Sequence, residues 1–469
     1  MSIFRASDIL PHTPMAPPPS SVRELGDGLA LRAATTADAE PLATFVGDTL
    51  RAQDGDAPDH HLADWTRDLL EGRHPAFAPA DATVVTDTRT GEIVSCMHLL
   101  SQTWTYGGVP IPVGQPELIG TRTERRGGGL VRVQFELLHR RSTEQRHQMQ
   151  VITGIPWFYR QFGYEFAIER GGGPVLHIDG LQPPEPAPGW RVRPAGLGDI
   201  TFLVTAHAAA ATRSLVWVPR DAALWRYELE GKRPGSAARR EIQILERDGQ
   251  PVGYIVHAIS LYGHNLTVMA FEVVAGVSWR EAWLVSLHHL KKTGEAMAAA
   301  SPGTQFRVLS FWFLAFEHPL YRVFQFKERD EGYAWYVRVV DLPGFLRTVA
   351  PALERRLAAS PCAGHSGTLT LGFFRDGVRF TFERGALKTV EAWEPAIAVQ
   401  GLELGRVSND PRRPLAMFPD LTFLQLLFGF RSLEALEAAF PDCVVRTNEA
   451  RALLLALFPR SPSDVWPVI

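Results

Sequence analysis

Residues 117–131 read Glu-Leu-Ile-Gly-Thr-Arg-Thr-Glu-Arg-Arg-Gly-Gly-Gly-Leu-Val, an order that predicts a strand, a glycine turn and the start of a helix. Such a turn leaves free backbone N–H groups at the positive end of a helix dipole, where phosphate and pyrophosphate bind. Glycine lacks a Cβ atom, so the backbone of Gly127–Gly129 can approach an anion and adopt positive φ. Arg126 adds a fixed positive charge. The segment predicts a pyrophosphate site, with a plain glycine-rich loop as the alternative.

A second segment follows this helix. A strand candidate at residues 149–153 leads into Gly-Ile-Pro-Trp-Phe-Tyr-Arg-Gln-Phe-Gly-Tyr at residues 154–164. The pair of segments resembles the GNAT acyl-CoA N-acetyltransferase family, whose motifs are Arg/Gln-x-x-Gly-x-Gly/Ala and, further on, Phe-Tyr-x-x-x-Gly-Phe. The matching residues are Arg126, Gly129 and Val131 for the first motif and Phe158, Tyr159, Gly163 and Tyr164 for the second. The chain departs from the family at Val131, where a smaller residue is preferred, and at Gly127-Gly128, where bulkier or basic residues are common.

The resemblance implies that an amine attacks the thioester carbon of acetyl-CoA, the co-substrate, directly. It also implies a backbone N–H donor for the oxyanion near Ile119–Arg122, and such a donor is typically worth roughly 3–4 kcal/mol of the barrier. The same strand would pair with the pantetheine arm, and the loop amides would hold the pyrophosphate. The residues assigned in this way to acetyl-CoA are Leu118, Ile119, Gly120, Thr121, Arg126, Gly127, Gly128, Gly129, Leu130 and Val131.

Three groups are candidates for proton transfer. Tyr159 matches the family tyrosine that protonates the leaving CoA thiolate, and a phenol can do so because its ordinary pKa of about 10 exceeds that of a thiol. Its alternative role is aromatic packing. A further resemblance, to proteins of the Eis (enhanced intracellular survival) type through the domain order described below, implies that the C-terminal carboxylate of Ile469 lies at the reacting amine. A frayed chain end is the alternative for Ile469, and Glu117 is the rival base.

Composition and repetition divide the chain into four segments. Residues 1–28 are rich in proline and serine and predict a flexible arm. Residues 29–182 alternate strands and helices, which predicts an α/β (α+β) lobe, and the resemblance implies that this is the catalytic GNAT lobe. After a proline-rich linker the pattern restarts over 190–340, where Trp190–Ala195 echoes Leu29–Ala34. No Arg-x-x-Gly turn survives at Val273–Arg280 of this copy, so a degenerate GNAT-like lobe that does not bind coenzyme is expected.

The last segment, residues 341–469, has a different pattern. It predicts a helix over Leu342–Ala358, a hairpin around Asp376-Gly377, and apolar helices at 423–428, 433–440 and 450–458. This order resembles the sterol-carrier-protein-like fold. Two GNAT-like lobes followed by such a domain resemble the Eis acetyltransferases.

Composition excludes several classes of protein. At 469 residues with 45% hydrophobic content the chain is too long for one core, and a net charge of −3 argues against a nucleic-acid partner. Three widely spaced cysteines fit neither a disulfide framework nor a zinc cluster, and the pairs His60-His61 and His288-His289 lack partners at ligand spacing. No metal is therefore expected. Without a signal peptide or an apolar run of about 20 residues, a cytoplasmic protein with no membrane association is expected.

The leading hypothesis is an acetyl-CoA-dependent N-acetyltransferase that acts on a primary amine of a small molecule or peptide. A lipid- or sterol-binding carrier, with the GNAT-like lobes as scaffold, is the alternative from another class. A scaffold without catalytic activity is the third. A homo-oligomer is compatible with each of these three hypotheses.

Overall fold

The computed structural model describes residues 22–51, 56–170, 174–301, 303–311, 314–324, 326, 328–329, 333–395 and 413–469. The strands form three sheets, of nine, seven and five strands, and helices pack against each of them. This mixed architecture confirms the predicted α/β fold class. Elements are numbered below in chain order.

The first sheet, together with its helices, is called the first lobe. Its strands are β1 (Arg23–Gly26), β2 (Leu29–Ala33), β3 (Ala82–Asp87), β4 (Ile93–Tyr106), β5 (Val109–Thr121), β6 (Met149–Ile152), β7 (Glu165–Arg170), β10 (Val216–Trp217) and β16 (Tyr333–Val339). Their order is β1-β2-β3-β4-β5-β6-β16-β7, and β10 pairs with the outer end of β4. The helices are α1 (Ala39–Thr49), α2 (His60–Leu70) and α3 (Leu130–Glu144).

The predicted arm over residues 1–28 is too long at its C-terminal end. β1 lies within it and pairs with β2 across a turn at Asp27-Gly28, where φ is 52° and 73°. Asp-Gly turns accept positive φ and therefore close a tight hairpin. The rest of the predicted arm, residues 1–21, lies outside the described residues.

The second sheet, with its helices, is called the second lobe. Its strands are β8 (Pro174–His177), β9 (Trp190–Pro194), β11 (Arg240–Arg247), β12 (Gln250–Ala258), β13 (Asn265–Val273), β14 (Val308–Phe311) and β15 (Glu328–Arg329), in the order β15-β8-β14-β13-β12-β11-β9. The helices are α4 (Ile200–Ala208), α5 (Ala222–Arg226), α6 (Trp279–Ala300) and α7 (Leu320–Val323).

The two lobes exchange strands. β8 follows β7 in the chain but lies between β14 and β15 of the second sheet, and β16 follows β15 but lies between β6 and β7 of the first. A boundary near residues 182–190 therefore separates each exchanged strand from the sheet that it completes. Sequence patterns predict that such a segment is extended, whereas its pairing partner depends on the surrounding packing.

An ion pair recurs at the start of both lobes. The Arg32 guanidinium donates to both carboxylate oxygens of Asp38 at 2.8 and 2.6 Å, and Arg193 donates to those of Asp199 at 2.7 Å each. In each case the same aspartate also accepts from the backbone N–H three residues earlier. The pair joins β2 to the turn before α1 in one lobe and β9 to the turn before α4 in the other, and its recurrence supports an internal repeat.

The C-terminal domain contains the third sheet, in the order β19-β18-β17-β20-β21 for β17 (Gly367–Gly372), β18 (Gly377–Glu383), β19 (Ala386–Trp393), β20 (Ala416–Met417) and β21 (Val444–Val445). Its helices are α8 (Leu342–Thr348), α9 (Ala350–Ala358), α10 (Phe423–Leu427), α11 (Leu433–Ala439) and α12 (Asn448–Leu457). The single helix predicted over Leu342–Ala358 is broken at Val349, because Pro351 lacks the N–H that a continuous helix would require.

One apolar core joins the first lobe to the C-terminal domain. Trp104 and Tyr106 on β4 belong to the same buried cluster as Phe345 and Leu353 on α8 and α9. The Tyr106 hydroxyl also donates to the Leu427 carbonyl at 2.7 Å. The C-terminal domain thereby covers the first sheet at the Tyr106 end of β4. The opposite end of the sheet is left for the site. Within the described ranges, no helix combines the length and the apolar character needed to cross a bilayer.

Candidate functional site

A bulge interrupts β5 at the predicted coenzyme strand. Cys96 of β4 faces Gly120, and His98 faces Glu117, so two residues of β5, Leu118 and Ile119, lie opposite one residue of β4. Leu118 has a φ of 46°, which is rare for a residue with a branched side chain. Its carbonyl lies 3.2 Å from Cys96 Sγ and 3.4 Å from His98 Nδ1. The bulge therefore turns the backbone at Leu118-Ile119 out of the regular ladder, as is common beside active sites.

The first sheet opens directly beside this bulge. β5 and β6 are parallel partners at Val113–Met149 and Gly114–Gln150 and then separate, whereas β16 pairs with the other edge of β6 from Met149 to Ile152. The remaining backbone of β5, from Gln115 to Thr121, faces an opening on that side. On the opposite side, Gly154 follows β6 with a φ of 132°. Such an opening offers backbone donors and acceptors to an extended ligand.

The glycine loop lies at the end of the opening. Gly127 and Gly129 have φ values of 79° and 76°, and a short 3-10 turn at Thr123–Arg125 precedes them. Gly129 is the N-cap of α3 and no side chain caps this helix, so its first-turn N–H groups point outward. Arg126 and the three glycines are exposed. This geometry suits an anion, as the sequence predicts.

A buried polar network holds the loop from beneath. Gln134 on α3 is fully buried, and it donates to Ser95 Oγ at 2.7 Å and accepts from Thr83 Oγ1 at 3.1 Å. Ser95 Oγ donates in turn to the Gly120 carbonyl at 2.9 Å and lies 2.8 Å from Thr121 Oγ1. Sequence reasoning missed Gln134. Its signal is a polar residue on the helix face that otherwise carries Leu130 and Leu138.

Tyr159 lies on the far side of the opening, on the 3-10 helix Phe158–Phe162. It is buried, with its ring centroid 5.5 Å from Tyr336 of the exchanged strand β16 and 6.1 Å from Phe135 of α3. A Cβ atom on Gly154 would lie 3.5 Å from the Tyr159 hydroxyl. Burial, reinforced by the charge of Glu117, raises the pKa of this phenol well above its ordinary value. Tyr159 is thus protonated at neutral pH and able to donate, while it also packs as an aromatic residue.

Glu117 is half-buried on the β5 side of the opening. Burial raises the pKa of its carboxyl group, whereas the hydrogen bond from Gln115 and the charge of Arg170 lower it. Gln115 Nε2 donates to Glu117 Oε1 at 2.7 Å. The charge of Glu117 contributes to the raised pKa of Tyr159, so the two predicted side chains lie within electrostatic reach of each other.

The C-terminal residue lies in the first lobe rather than fraying into solvent. Ile469 packs against the apolar cluster that contains Leu118 and Phe45. The two residues before Val468 are held by Arg220 of the second lobe, whose guanidinium donates to the carbonyls of Trp466 and Pro467 at 2.7 and 2.9 Å. Arg220 is almost fully buried and stacks 3.6 Å above the Trp466 ring. Sequence reasoning missed Arg220, which has no local signal.

The equivalent site in the second lobe is built differently. The N-terminus of α6 is capped by Ser278, whose hydroxyl accepts from the Glu281 N–H at 3.3 Å. Glu281 also places a negative charge in the first turn. Both features disfavour an anion there. Tyr321, the counterpart of Tyr159, packs between Phe311 and Phe326.

Metal-ligating residues meet at one place in the part of the chain that the structure describes. Glu272, His318 and Asp464 have ligand atoms within 4.8 Å of one another. Arg213 forms an ion pair with Glu272, and His318 Nε2 lies 3.0 Å from the Phe271 carbonyl. Glu272 and His318 therefore already have partners within the protein. Neither predicted histidine pair belongs to this group.

Comparison with known proteins agrees with this geometry. Residues 30–167 match the family model described as an acetyltransferase (GNAT) domain. A GCN5-related N-acetyltransferase from Anabaena variabilis has 14% identity, with a TM-score of 0.61 over 93% of this chain and 98% of its own. A conserved protein of unknown function from Enterococcus faecalis, a probable N-acyltransferase, has 12% identity and a TM-score of 0.62, over 94% and 100%. Eis1 from Mycobacterium abscessus has 13% identity and a TM-score of 0.54, over 94% and 99%.

No curated protein matches the sequence. At these identities the solved structures show a shared fold along nearly the whole chain, and the family match is confined to the first lobe. That lobe carries the bulge, the opening and the glycine loop. Residues 30–167 are therefore a GNAT acetyltransferase domain, and the chain is an acyltransferase.

Proposed function

We propose that this protein is an acetyl-CoA-dependent N-acetyltransferase that acetylates a primary amine of a small molecule or peptide. The observation that carries the proposal is the opening between β5 and β6. The bulge at Leu118-Ile119 lines one side, Tyr159 lines the other, and the uncapped N-terminus of α3 lies at its end. In this proposal the pantetheine arm lies along β5 and the pyrophosphate lies on the loop from Arg126 to Val131.

The reaction is a direct transfer. The amine nitrogen attacks the thioester carbon, a C–N bond forms, and the oxyanion accepts a hydrogen bond from a backbone N–H of the bulge. When the C–S bond breaks, the thiolate takes the proton of the Tyr159 hydroxyl, and the proton that the attacking nitrogen loses on forming the amide restores the phenol. Burial and the charge of Glu117 raise the pKa of this phenol, which keeps it protonated until the thiolate forms.

The proton lost by the substrate ammonium is assigned to the C-terminal carboxylate of Ile469. The anchoring of Trp466 and Pro467 by Arg220 supports this role, because a base must be held at a defined place. Glu117 remains the rival base, since its raised pKa also suits proton acceptance.

The domain assignments remain part of the proposal. Residues 29–182 would be the catalytic lobe with one exchanged strand, 190–340 a GNAT-like lobe that does not bind coenzyme, and 341–469 a sterol-carrier-like domain. The capped N-terminus of α6 supports the second assignment. A cytoplasmic location is also proposed.

A lipid or sterol carrier is the second candidate, and one feature favours it. A cleft of about 330 Å³ in the C-terminal domain has Leu342, Phe373, Val378, Phe423 and Leu424 among its lining residues. The same cleft also exposes the carboxylates of Asp341, Asp376 and Asp420, which an apolar ligand would have to desolvate. These carboxylates favour the enzyme over the carrier.

Release of free CoA from acetyl-CoA tests the proposal. Polyamines, aminoglycosides, lysine peptides and small amines form the acceptor panel, and wild-type protein should release CoA only when a suitable amine is present. Binding of a fluorescent fatty acid is measured in parallel. If no amine supports CoA release and the protein binds the fatty acid tightly, the carrier function is supported instead of the enzyme function.

A further inference from the structure

Gln102 on β4 holds the backbone of Val468 with both ends of its amide. Its Oε1 accepts from the Val468 N–H at 3.2 Å, and its Nε2 donates to the Val468 carbonyl at 3.1 Å. Trp104 Nε1 donates to the same Oε1 at 3.0 Å, which fixes the orientation of the amide. Gln102 is 5% exposed, so these bonds are shielded from water.

The same amide continues toward the predicted catalytic carboxylate. Gln102 Nε2 uses its second hydrogen to donate to Gln115 Oε1 at 2.6 Å. Gln115, which is fully buried, can then only donate from its Nε2, and it does so to Glu117 Oε1 at 2.7 Å. Since each amide has one oxygen and one nitrogen, the direction of every bond in this chain follows from the first.

We propose that Gln102 and Gln115 are positioning residues that link the docked C-terminus to Glu117, so that Glu117 is correctly oriented only while Val468 occupies its place. This inference rests on the proposed function, in its form with Glu117 as the base. The four residues join β4, β5 and the C-terminal segment in one hydrogen-bonded line. The line ends at the opening that Tyr159 faces.

Glu117 is the member of this line whose ionisation reports its integrity. Gln115 donates to the carboxylate and thus favours the charged form, whereas burial opposes it. Loss of the donor leaves a half-buried carboxylate with less support, so more protons stay bound at a given pH. A neutral amide does not relay protons here; it orients and supports the charge.

The experiment combines pH profiles with a double-mutant cycle on the full-length protein. Gln115→Met should move the acidic limb of the kcat/KM profile upward by about one pH unit, because a hydrogen bond to a charged group is lost. Gln102→Met should lower kcat about tenfold in the full chain. In a chain that lacks Val468-Ile469 the same substitution should have little further effect, since its partner is already gone.

Gln243→Met is the matched control, because Gln243 is a buried glutamine on β11 of the second lobe. This substitution should leave kcat and both limbs of the kcat/KM pH profile unchanged. If Gln115→Met does not fold, Gln115→Glu keeps the size of the side chain and should move the acidic limb upward as well, since it brings a second carboxyl group to Glu117. An acidic limb that does not move in the Gln115 variants would overturn the proposal. So would a loss of kcat from Gln102→Met that adds fully to the loss caused by the truncation. A wild-type protein that releases CoA with no amine would instead overturn the proposed function.

Discussion

At the scale of single residues, Tyr159 combines packing with chemistry. Its ring packs with Phe135 and Tyr336, while its hydroxyl lies beside Gly154 at the opening. A phenylalanine would keep the ring contacts and remove the proton. Tyr159→Phe should therefore lower kcat by about 10²-fold or more while the affinity for acetyl-CoA changes little. Tyr321→Phe, the matched change in the second lobe, should leave steady-state turnover intact. Equal losses of kcat in both variants would show that the reaction does not take place in the first lobe.

Gly129 is the residue on which the anion site depends. It has a φ of 76° and is the N-cap of α3, so a side chain there is strained and a negative one opposes the helix dipole. Gly129→Glu should abolish binding of acetyl-CoA in titration calorimetry, where the wild type should bind one coenzyme per chain. Gly276→Glu is the control in the second lobe, at a glycine with a φ of 85° in the turn before α6. Unchanged affinity in folded Gly129→Glu would show that the pyrophosphate binds elsewhere.

At the scale of elements, the segment from Pro462 to Ile469 connects all parts of the molecule. It contacts Leu215, Glu169, Arg220 and Gln102 in turn. Removal of Val468-Ile469 should reduce kcat while acetyl-CoA still binds, and residues added after Ile469 should do the same because they displace the carboxylate. The loss should diminish at high pH, where more of the amine is already deprotonated. A C-terminal tag that leaves turnover unchanged would return Glu117 to first place as the base.

Asp464 makes the docking of this segment dependent on pH. Burial, with the nearby carboxylates of Glu272 and Glu169, raises its pKa to about 7, and Arg213 and Arg220 lower it only in part. His318 also faces this group. The folded protein thus holds a proton that the unfolded chain loses near pH 4. The contribution of Asp464 to stability is therefore greatest below about pH 4 and falls as the pH rises to about 7.

Asp464→Asn should flatten that part of the stability curve, since an amide does not ionise. Chemical denaturation between pH 4.5 and 8 measures the free energy of unfolding of both proteins. The difference between variant and wild type should move in favour of the variant as the pH rises. Parallel curves would show that Asp464 is ionised throughout.

At the scale of the whole molecule, the exchanged strands make the two lobes interdependent. Without β16 the first sheet lacks the strand between β6 and β7, and Tyr159 loses its contact with Tyr336. A fragment of residues 22–182 should therefore fail to bind acetyl-CoA or to unfold cooperatively in a thermal melt. Co-expression with residues 183–469 should restore both properties, because it supplies β16. A fragment that folds and binds alone would show that the exchange is dispensable.

Local patterns in the chain account for much of the fold and part of the site. The hairpins at Thr90-Gly91 and Asp376-Gly377, and the strand–turn–helix order around Gly127–Gly129, follow from backbone preferences that act over a few residues. The same segments predicted the α/β class. The strand β19 was not predicted because it has no strong periodic signal, and the break at Val349 was missed although Pro351 is a local signal for it.

The remaining features join residues that are far apart in the chain. The contact between Gln102 and Val468 spans 366 residues, and that between Arg220 and Trp466 spans 246. The pairing of β8 and β16 with the opposite sheets, and the docking of Ile469 in the first lobe, belong to the same class. A side chain's periodicity restricts the face on which it lies, but its distant partner is selected by the free energy of the entire packed core. These distant partners are therefore determined only when the chain has folded into its packed core.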